Sequence, residues 1–431
     1  MSSDHEVRSL KLNKLKKLYE EGNMDLVIPE ATKLFQEYSS GIAYNILALA
    51  HKRQGKYEDA IELYEKILVD NPKNPLFLYN LGNIHFDMGR RREAEEYYRK
   101  SLAIEPNQVD ASISLGNLLV SNAKLDDALL IFKRLVNDFT GLTPAQLSDI
   151  NYRIADIYIK KGPSGINKAI KYYGLSDQPL SSANRLELIY KSKDKSTFSQ
   201  EAQKINVLGE ANPLLATLQT HASIRYGIPD GNLFCREPFK YIYQSRLKAE
   251  EGFNEDLVSK LLHVAKRISL TPQPLLNNGE QSAGNLLISN DLSVQRIKNI
   301  IINRINQYRN QHKNSNAGFI KNWPTNTILF GWIIKLKQGG NLDSHIHKQG
   351  WLSGSLYLEV PKVPGSSQGN IIFDLDGGNY PTNGKSFPQR ELNIEKGDIV
   401  LFPSSIFHKT VPFDSPEHRV TLAFDLKPVF S

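Results

Sequence analysis

The sequence predicts an α+β multidomain chain: an N-terminal α-helical solenoid followed by a C-terminal jelly-roll barrel (a double-stranded β-helix) with buttressing helices. Three observations predict it. A 34-residue internal period runs through the first half, the period is gone after about Ala211, and from Thr325 short apolar or alternating runs recur between turn residues. The expected divisions are a repeat domain over residues 1–210, a linker over 211–232 and a barrel domain over 233–431.

The repeat is read by aligning on prolines. The segment from Gly41 carries Leu47, Ala48, Gly55, Ala60, Tyr64 and Pro72, and the segment from Pro75 carries Leu81, Gly82, Gly89, Ala94, Tyr98 and Pro106 at matching positions. A third copy starts near Val109 with Leu115, Gly116, Ala123, Ala128 and Phe132. A fourth carries Ile154, Ala155, Tyr158, Gly162, Ala169 and Tyr173, with a short insertion at Pro163 to Gly165. Small residues stand where the two helices of a pair touch, and larger ones fill the groove between pairs. This pattern resembles the tetratricopeptide repeat family over roughly Ser9 to Asn206, with degenerate first and last units. A helix pair cannot cover its own apolar face, so neighbours stack into a superhelix with a concave surface. The resemblance implies a protein or peptide partner on that surface; assembly or scaffolding is the alternative.

At 431 residues and 40% hydrophobic content, the chain can build two or three buried cores, and two domains are expected. Its longest apolar stretch, near Ile328 to Leu336, is far short of the roughly 20 residues of a membrane helix, and Met1 to Arg8 lacks a signal-peptide pattern. A soluble protein without membrane attachment is expected. Cys235 is the single cysteine, which excludes an intramolecular disulfide and any zinc site built on several thiolates, and makes a reducing cytoplasm the simplest compartment. The net charge of +7 is modest, and Lys11, Lys14, Lys16 and Lys17 read as one solvated helix face, so nucleic acid is not an expected partner.

In the second half, Pro229, Gly231 and Pro238 mark a turn-rich junction. Helical spacing appears from Asn254 to Ile268 (Leu257, Leu261, Leu262, Ala265) and from Val294 to Tyr308 (Ile297, Ile300, Ile301, Ile305), which suggests two helices buttressing a β-rich body. The expected strands are Ile328 to Leu336, Leu352 to Val360, Asn370 to Leu375, Asp398 to Pro403, His408 to Pro412 and Arg419 to Leu426. Gly339-Gly340, Pro364-Gly365, Gly377-Gly378 and Lys396-Gly397-Asp398 separate them, a spacing that suits a sandwich or a jelly roll.

The chemistry centres on histidines. His345 and His347 sit two apart where a strand is expected to begin, so both imidazoles leave one face and can reach one ion. His408 lies about 60 residues on, after a glycine turn and a buried-looking strand, and Arg419 follows it. An HxH pair alone is weakly specific; His408 and Arg419 give it weight.

Gly340 to His347 with Gly350 to Tyr357, then Gly397-Asp398 to His408 and Arg419-Val420-Thr421, resembles the iron(II)/2-oxoglutarate oxygenase superfamily over about Leu233 to Pro428. The nearest branch carries HxH in place of the commoner HxD. The resemblance implies an Fe(II) centre held by His345 and His408, with the third, usually carboxylate, position falling on His347. Asp343 is the alternative third ligand. Asp374 and Asp376 are poorer candidates, because Gly377-Gly378 takes them into a loop. Arg419 would pair with the remote carboxylate of the co-substrate 2-oxoglutarate, Thr421 would add a hydroxyl contact, and Tyr357 is a further donor. The implied reaction consumes O2 and 2-oxoglutarate, releases succinate and most often hydroxylates a substrate, either a protein side chain recruited by the repeats or a small molecule.

Two other readings stay open. Gly339 with His345 and His347, then Gly397, Pro403 and His408, fits much of the two cupin motifs, although the cupin glutamate is missing and Arg419 and Thr421 have no counterpart there. The chain could also be a catalytically inactive repeat scaffold.

Overall fold

The computed structural model describes residues 2–361, 363 and 366–429; the expected break at Pro364-Gly365 lies outside them. The chain divides into two compact units, residues 1–181 and 182–431.

The first unit is a stack of antiparallel helix pairs. Its helices are α1 (Ser2–Glu20), α2 (Met24–Tyr38), α3 (Gly41–Arg53), α4 (Tyr57–Asp70), α5 (Pro75–Asp87), α6 (Arg91–Ile104), α7 (Val109–Ser121), α8 (Leu125–Asp138), α9 (Pro144–Lys160) and α10 (Ile166–Tyr173). The starts of α3, α5 and α7 are 34 residues apart, as are those of α4, α6 and α8. Local signals set these ends: Ser40, Asn74 and Thr143 accept hydrogen bonds from backbone N–H groups of the first turns, and Pro75 and Pro144 occupy first helical positions. The turn inside each pair needs a left-handed residue. Gly55 (φ 74°), Gly89 (φ 75°) and Gly162 (φ 87°) supply it, and Ala123 takes the same conformation (φ 58°) in the third pair. The insertion at Pro163–Gly165 is absorbed as a single 3-10 turn.

Packing follows the repeat. Ala60, Ala94, Ala128 and Ala169 are fully buried at the crossings, and Tyr64, Tyr98, Phe132 and Tyr173 fill the grooves. At Gly82 the helices are close enough that an added Cβ would lie 2.6 Å from the Tyr98 ring, so only glycine fits the crossing.

The second unit opens with three helices, α11 (Ser181–Ser192), α12 (Lys195–Val207) and α13 (Pro213–Tyr226). The stretch expected as a linker, 211–232, thus holds a helix, and Pro213 through Ala222 are all buried. His221 on α13 is fully buried; the Tyr190 hydroxyl of α11 donates to its Nδ1 over 2.6 Å, and its Nε2–H donates to the Asp376 carboxylate over 3.2 Å. These bonds tie α11 and α13 to the sheet domain.

That domain contains β1 (Tyr243–Arg246), α14 (Glu255–Arg267), β2 (Leu270–Thr271), β3 (Leu276–Ser282), α15 (Leu292–Gln311), α16 (Gly318–Lys321), β4 (Thr327–Leu342), β5 (Leu352–Glu359), β6 (Ile371–Asp374), β7 (Gln389–Leu392), β8 (Asp398–Pro403), β9 (Phe407–Thr410) and β10 (Arg419–Pro428). The strands form two antiparallel sheets, one in the order β1-β8-β5-β10-β4-β3-β2 and the other β7-β6-β9. Alternation along β10 assigns the faces. Val420, Leu422, Phe424 and Leu426 pack in one core with Leu257 and Leu261 of α14 and Ile297 and Ile301 of α15, so the two expected helices do buttress the larger sheet. Ala423 faces the other way, toward Ile334, Leu336 and Phe413. Burying each such Leu or Ile contributes about 1.5–3 kcal/mol.

Three details differ from the sequence expectation. The strand expected over Ile328 to Leu336 continues to Leu342, with Gly339 (φ 73°) and Gly340 inside it, because the β3–β4 pairing shifts register between Asn277 and Gly279 and the bulge accommodates the glycines. Strands β1, β2, β3 and β7 were not expected; Gln389 to Glu391 on β7 are exposed and polar and carry no apolar alternation. His345 and His347 lie beyond the end of β4 rather than at a strand start, and His345 makes an isolated bridge to His408. No helix among the described residues is long and apolar enough to cross a membrane.

Candidate functional site

The end of β4 delivers His345 and His347, and β9 delivers His408. Backbone pairing sets their approach: the N–H of His345 donates to the carbonyl of His408 over 3.2 Å, and the reverse bond is 3.0 Å. Among the described residues, His345, His347 and His408 gather their potential ligand atoms within 4.8 Å of one another.

Each ring has its Nδ1 side occupied by an oxygen. His345 Nδ1–H donates to the Asp343 carbonyl over 2.8 Å, His408 Nδ1–H to the Ile406 carbonyl over 3.3 Å, and His347 Nδ1–H to the Asp425 carboxylate over 2.5 Å. These bonds fix the tautomers and leave each Nε2 as an electron-pair donor. The Nε2 atoms of His345 and His347 are 3.2 Å apart. Two lone pairs at that separation repel unless a proton or cation lies between them. Two nitrogens bound to one metal at about 2.1 Å and near right angles lie roughly 3 Å apart, so the donor set fits a divalent ion.

Electrostatics agree with neutral rings at His345 and His408. Burial, reinforced by neighbouring His347, pushes His345 down to about 4. Burial and the adjacent histidines hold His408 well below the usual imidazole range. Asp425 is fully buried, which raises its carboxyl, but His347, the Ser353 hydroxyl and Lys427 together hold it below the usual carboxylate range. Ser353 Oγ donates to Asp425 over 2.7 Å and meets Ser404 Oγ at 2.7 Å.

The structure does not bring Asp343 into this cluster. Its carboxylate is exposed and accepts from Asn277 Nδ2 at 2.9 Å and Asn341 Nδ2 at 3.0 Å. Asp374 faces Lys409 and Asp376 faces His221, both away from the three histidines.

Arg419, Thr421 and Tyr357 come together inside the domain. Arg419 and Thr421 share the face of β10 that Ala423 and Asp425 also occupy, and Thr421 is directly opposite Tyr357 on β5. Arg419 is buried, lies 5.0 Å from the Tyr357 ring centroid, and has no carboxylate in ion-pair range among the described residues. Among the described residues its Nε has no hydrogen-bond partner, and the Tyr357 hydroxyl, with Arg419 and Ser355 beside it, makes no well-formed hydrogen bond. Burial lowers the Arg419 guanidinium and raises the Tyr357 phenol.

Sequence reasoning missed Asp425, Ser353, Ser404 and Trp332 as members of this site. The Trp332 ring stacks on His347 at 5.7 Å, and among the described residues its buried indole N–H has no partner. The signal for Asp425 was a lone acid in the buried run Val420 to Leu426, on the same alternation as Arg419 and Thr421.

Fold and site together define a helical-repeat protein whose second part is a two-sheet barrel with a three-histidine cluster and a buried arginine. Residues 331–425 match the family model described as "Putative 2OG-Fe(II) oxygenase", and residues 44–163 match the middle TPR-like domain of cilia and flagella-associated protein 70. The chain is a tetratricopeptide repeat protein carrying a domain of the 2OG-Fe(II) oxygenase family. Similar curated proteins include the human protein O-mannosyl-transferase TMTC2, 29% identical over 22% of this chain and 11% of its own length. Photosystem I assembly protein Ycf3 of Acaryochloris marina is 33% identical over 26% of this chain and 71% of its own length. The chain spans about a tenth of the first curated relatives it matches. Among solved structures, a Pseudomonas putida prolyl-4-hydroxylase is 14% identical with a TM-score of 0.31, covering 44% of this chain and 93% of that one.

Proposed function

We propose that the chain is an iron(II)- and 2-oxoglutarate-dependent dioxygenase, a hydroxylase, whose metal is held by the Nε2 atoms of His345, His347 and His408. The observation that carries this reading is Arg419: a buried guanidinium without an acidic partner among the described residues, on the strand face that leads to the histidine cluster. A buried cation is costly unless an anion meets it. A dicarboxylate that reaches the metal at one end and Arg419 at the other satisfies both groups, and the planar guanidinium suits a planar carboxylate. The Thr421 and Tyr357 hydroxyls would donate to the same carboxylate.

When bound, iron(II) supplies oxygen activation coupled to decarboxylation of 2-oxoglutarate. The chain's own part is to bind and orient. The three histidines would hold the ion through their Nε2 atoms, Arg419 would set the direction of the co-substrate, and the apolar residues Ile334, Leu336 and Phe413 would keep water from its path. Trp332, with its free N–H beside His347, would border the substrate's place.

The repeats would recruit a protein or peptide substrate on their concave surface, with a small-molecule substrate as the alternative. A single cysteine, Cys235, buried and raised by that burial, suits a cytoplasmic setting. The test is succinate formation: full-length protein reconstituted with Fe(II) should convert 2-oxoglutarate to succinate under oxygen, and His408→Ala should abolish it. Equal conversion by both proteins would refute the assignment.

A further inference from the structure

The three-histidine set lacks the negative charge that a carboxylate ligand would bring to a divalent ion. Asp425 lies one bond network away. It is 3% exposed, accepts the His347 Nδ1–H at 2.5 Å and the Ser353 hydroxyl at 2.7 Å, and Ser353 is in turn held by Ser404. Backbone contacts support the same arrangement: the His347 N–H donates to the Ser404 carbonyl over 3.2 Å. Gly350 lets the loop pass close by, since a Cβ there would stand 2.5 Å from Ser404 Oγ and 3.3 Å from Asp425 Oδ1. A charged side chain buried in a strand core and devoted to one histidine is a built feature, because removing either partner strands the other.

We propose that Asp425 is the positioning residue that replaces the missing carboxylate at one remove, holding His347 with Nε2 toward the metal and making it the most electron-rich of the three imidazoles. The inference rests on the metal assignment above. A carboxylate accepting the outer N–H of a ligating histidine fixes the ring's rotation and tautomer and raises its basicity, and losing such a partner typically costs 10–100-fold in metal affinity. His345 and His408 donate instead to neutral backbone carbonyls, so the effect is specific to His347.

The test uses cobalt(II) as probe on the full chain, with affinity read from its visible absorption. Asp425→Asn should weaken Co(II) binding about 10–100-fold. In the His347→Asp background, where the charge sits on the metal directly, the same Asp425→Asn change should cost under about threefold. Ser353→Ala, which keeps Asp425 but removes one of its donors, should weaken binding about 2–10-fold and guards against a folding defect in Asp425→Asn. If wild-type protein binds Co(II) and Asp425→Asn and Ser353→Ala bind it equally well, the role of Asp425 is overturned while the metal site stands. If wild-type protein binds no Co(II), the metal site itself falls, and this inference with it.

Discussion

The Arg419 guanidinium stands 5.0 Å over the Tyr357 ring inside the domain, and among the described residues its Nε has no hydrogen-bond partner. Natural proteins rarely leave such groups unsatisfied without a use for them. On the proposed reading, the ligand-free protein carries a destabilising group that a bound carboxylate would relieve. Arg419→Met should raise the melting temperature of ligand-free protein by about 2–4 °C for each kcal/mol of desolvation recovered. A lowered melting temperature would make Arg419 a structural residue.

Asp343 and His347 are the two candidates for the third ligand position of the proposed metal, and their surroundings differ. Asp343 is exposed and tied to Asn277 and Asn341, whereas His347 Nε2 is 3.2 Å from His345 Nε2. Asp343→Asn should leave metal affinity within about twofold of wild type, as surface changes usually do. His347→Ala should lose most of it. Equilibrium titration of both variants decides, and the reverse order would move the third ligand to Asp343.

Acid should destabilise the metal-free protein. His345 has a native value of about 4, and His408 and His221 are also lowered, in each case mainly by burial. A histidine whose native value lies below its unfolded value of about 6.5 takes up protons on unfolding between the two, so its contribution is complete above pH 6.5 and is lost as pH falls toward 4. Melting temperatures of chelator-treated protein should fall from pH 6.5 to 5, where most carboxylates are still ionised. A flat profile over that range would contradict the burial of these rings as neutral groups.

The unit boundary near Ser182 predicts how the chain tolerates shortening. A truncation beginning at Ser182 keeps the Tyr190–His221–Asp376 bonds and the Glu187–Lys348 ion pair at 2.7 Å, and should bind metal and 2-oxoglutarate as the full chain does. One beginning at residue 211 discards Tyr190 and Glu187, and should be insoluble or melt lower. Retained activity on the true substrate without residues 1–181 would refute recruitment by the repeats.

Sequence made the repeat legible to the residue, because helix pairs in a solenoid contact only their neighbours and must repeat Ala60, Ala94 and Ala128 at one spacing. Arg419, Thr421 and Tyr357 were legible through the resemblance to the oxygenase superfamily, which the Arg419-Val420-Thr421 strand and the Gly350 to Tyr357 segment carry. The histidines were legible by type and spacing, although their place beyond β4 was not, since the bulge that carries Gly339 depends on pairing with β3. Helix α13 was hidden because its burial is set by contacts such as His221 with Asp376, 155 residues away in sequence. Asp425 was hidden for the same reason: its meaning lies in His347, and one acid in a strand has no motif.

The most direct test of the account is calorimetric titration of 2-oxoglutarate into the full chain loaded with Mn(II), compared with metal-free protein and with Mn(II)-loaded Arg419→Met. The account predicts saturable binding to the loaded wild type, little or none without metal, and a loss of about 2–5 kcal/mol, or roughly 30-fold or more, in the variant. Equal binding to all three proteins, or none to the loaded wild type, would contradict it.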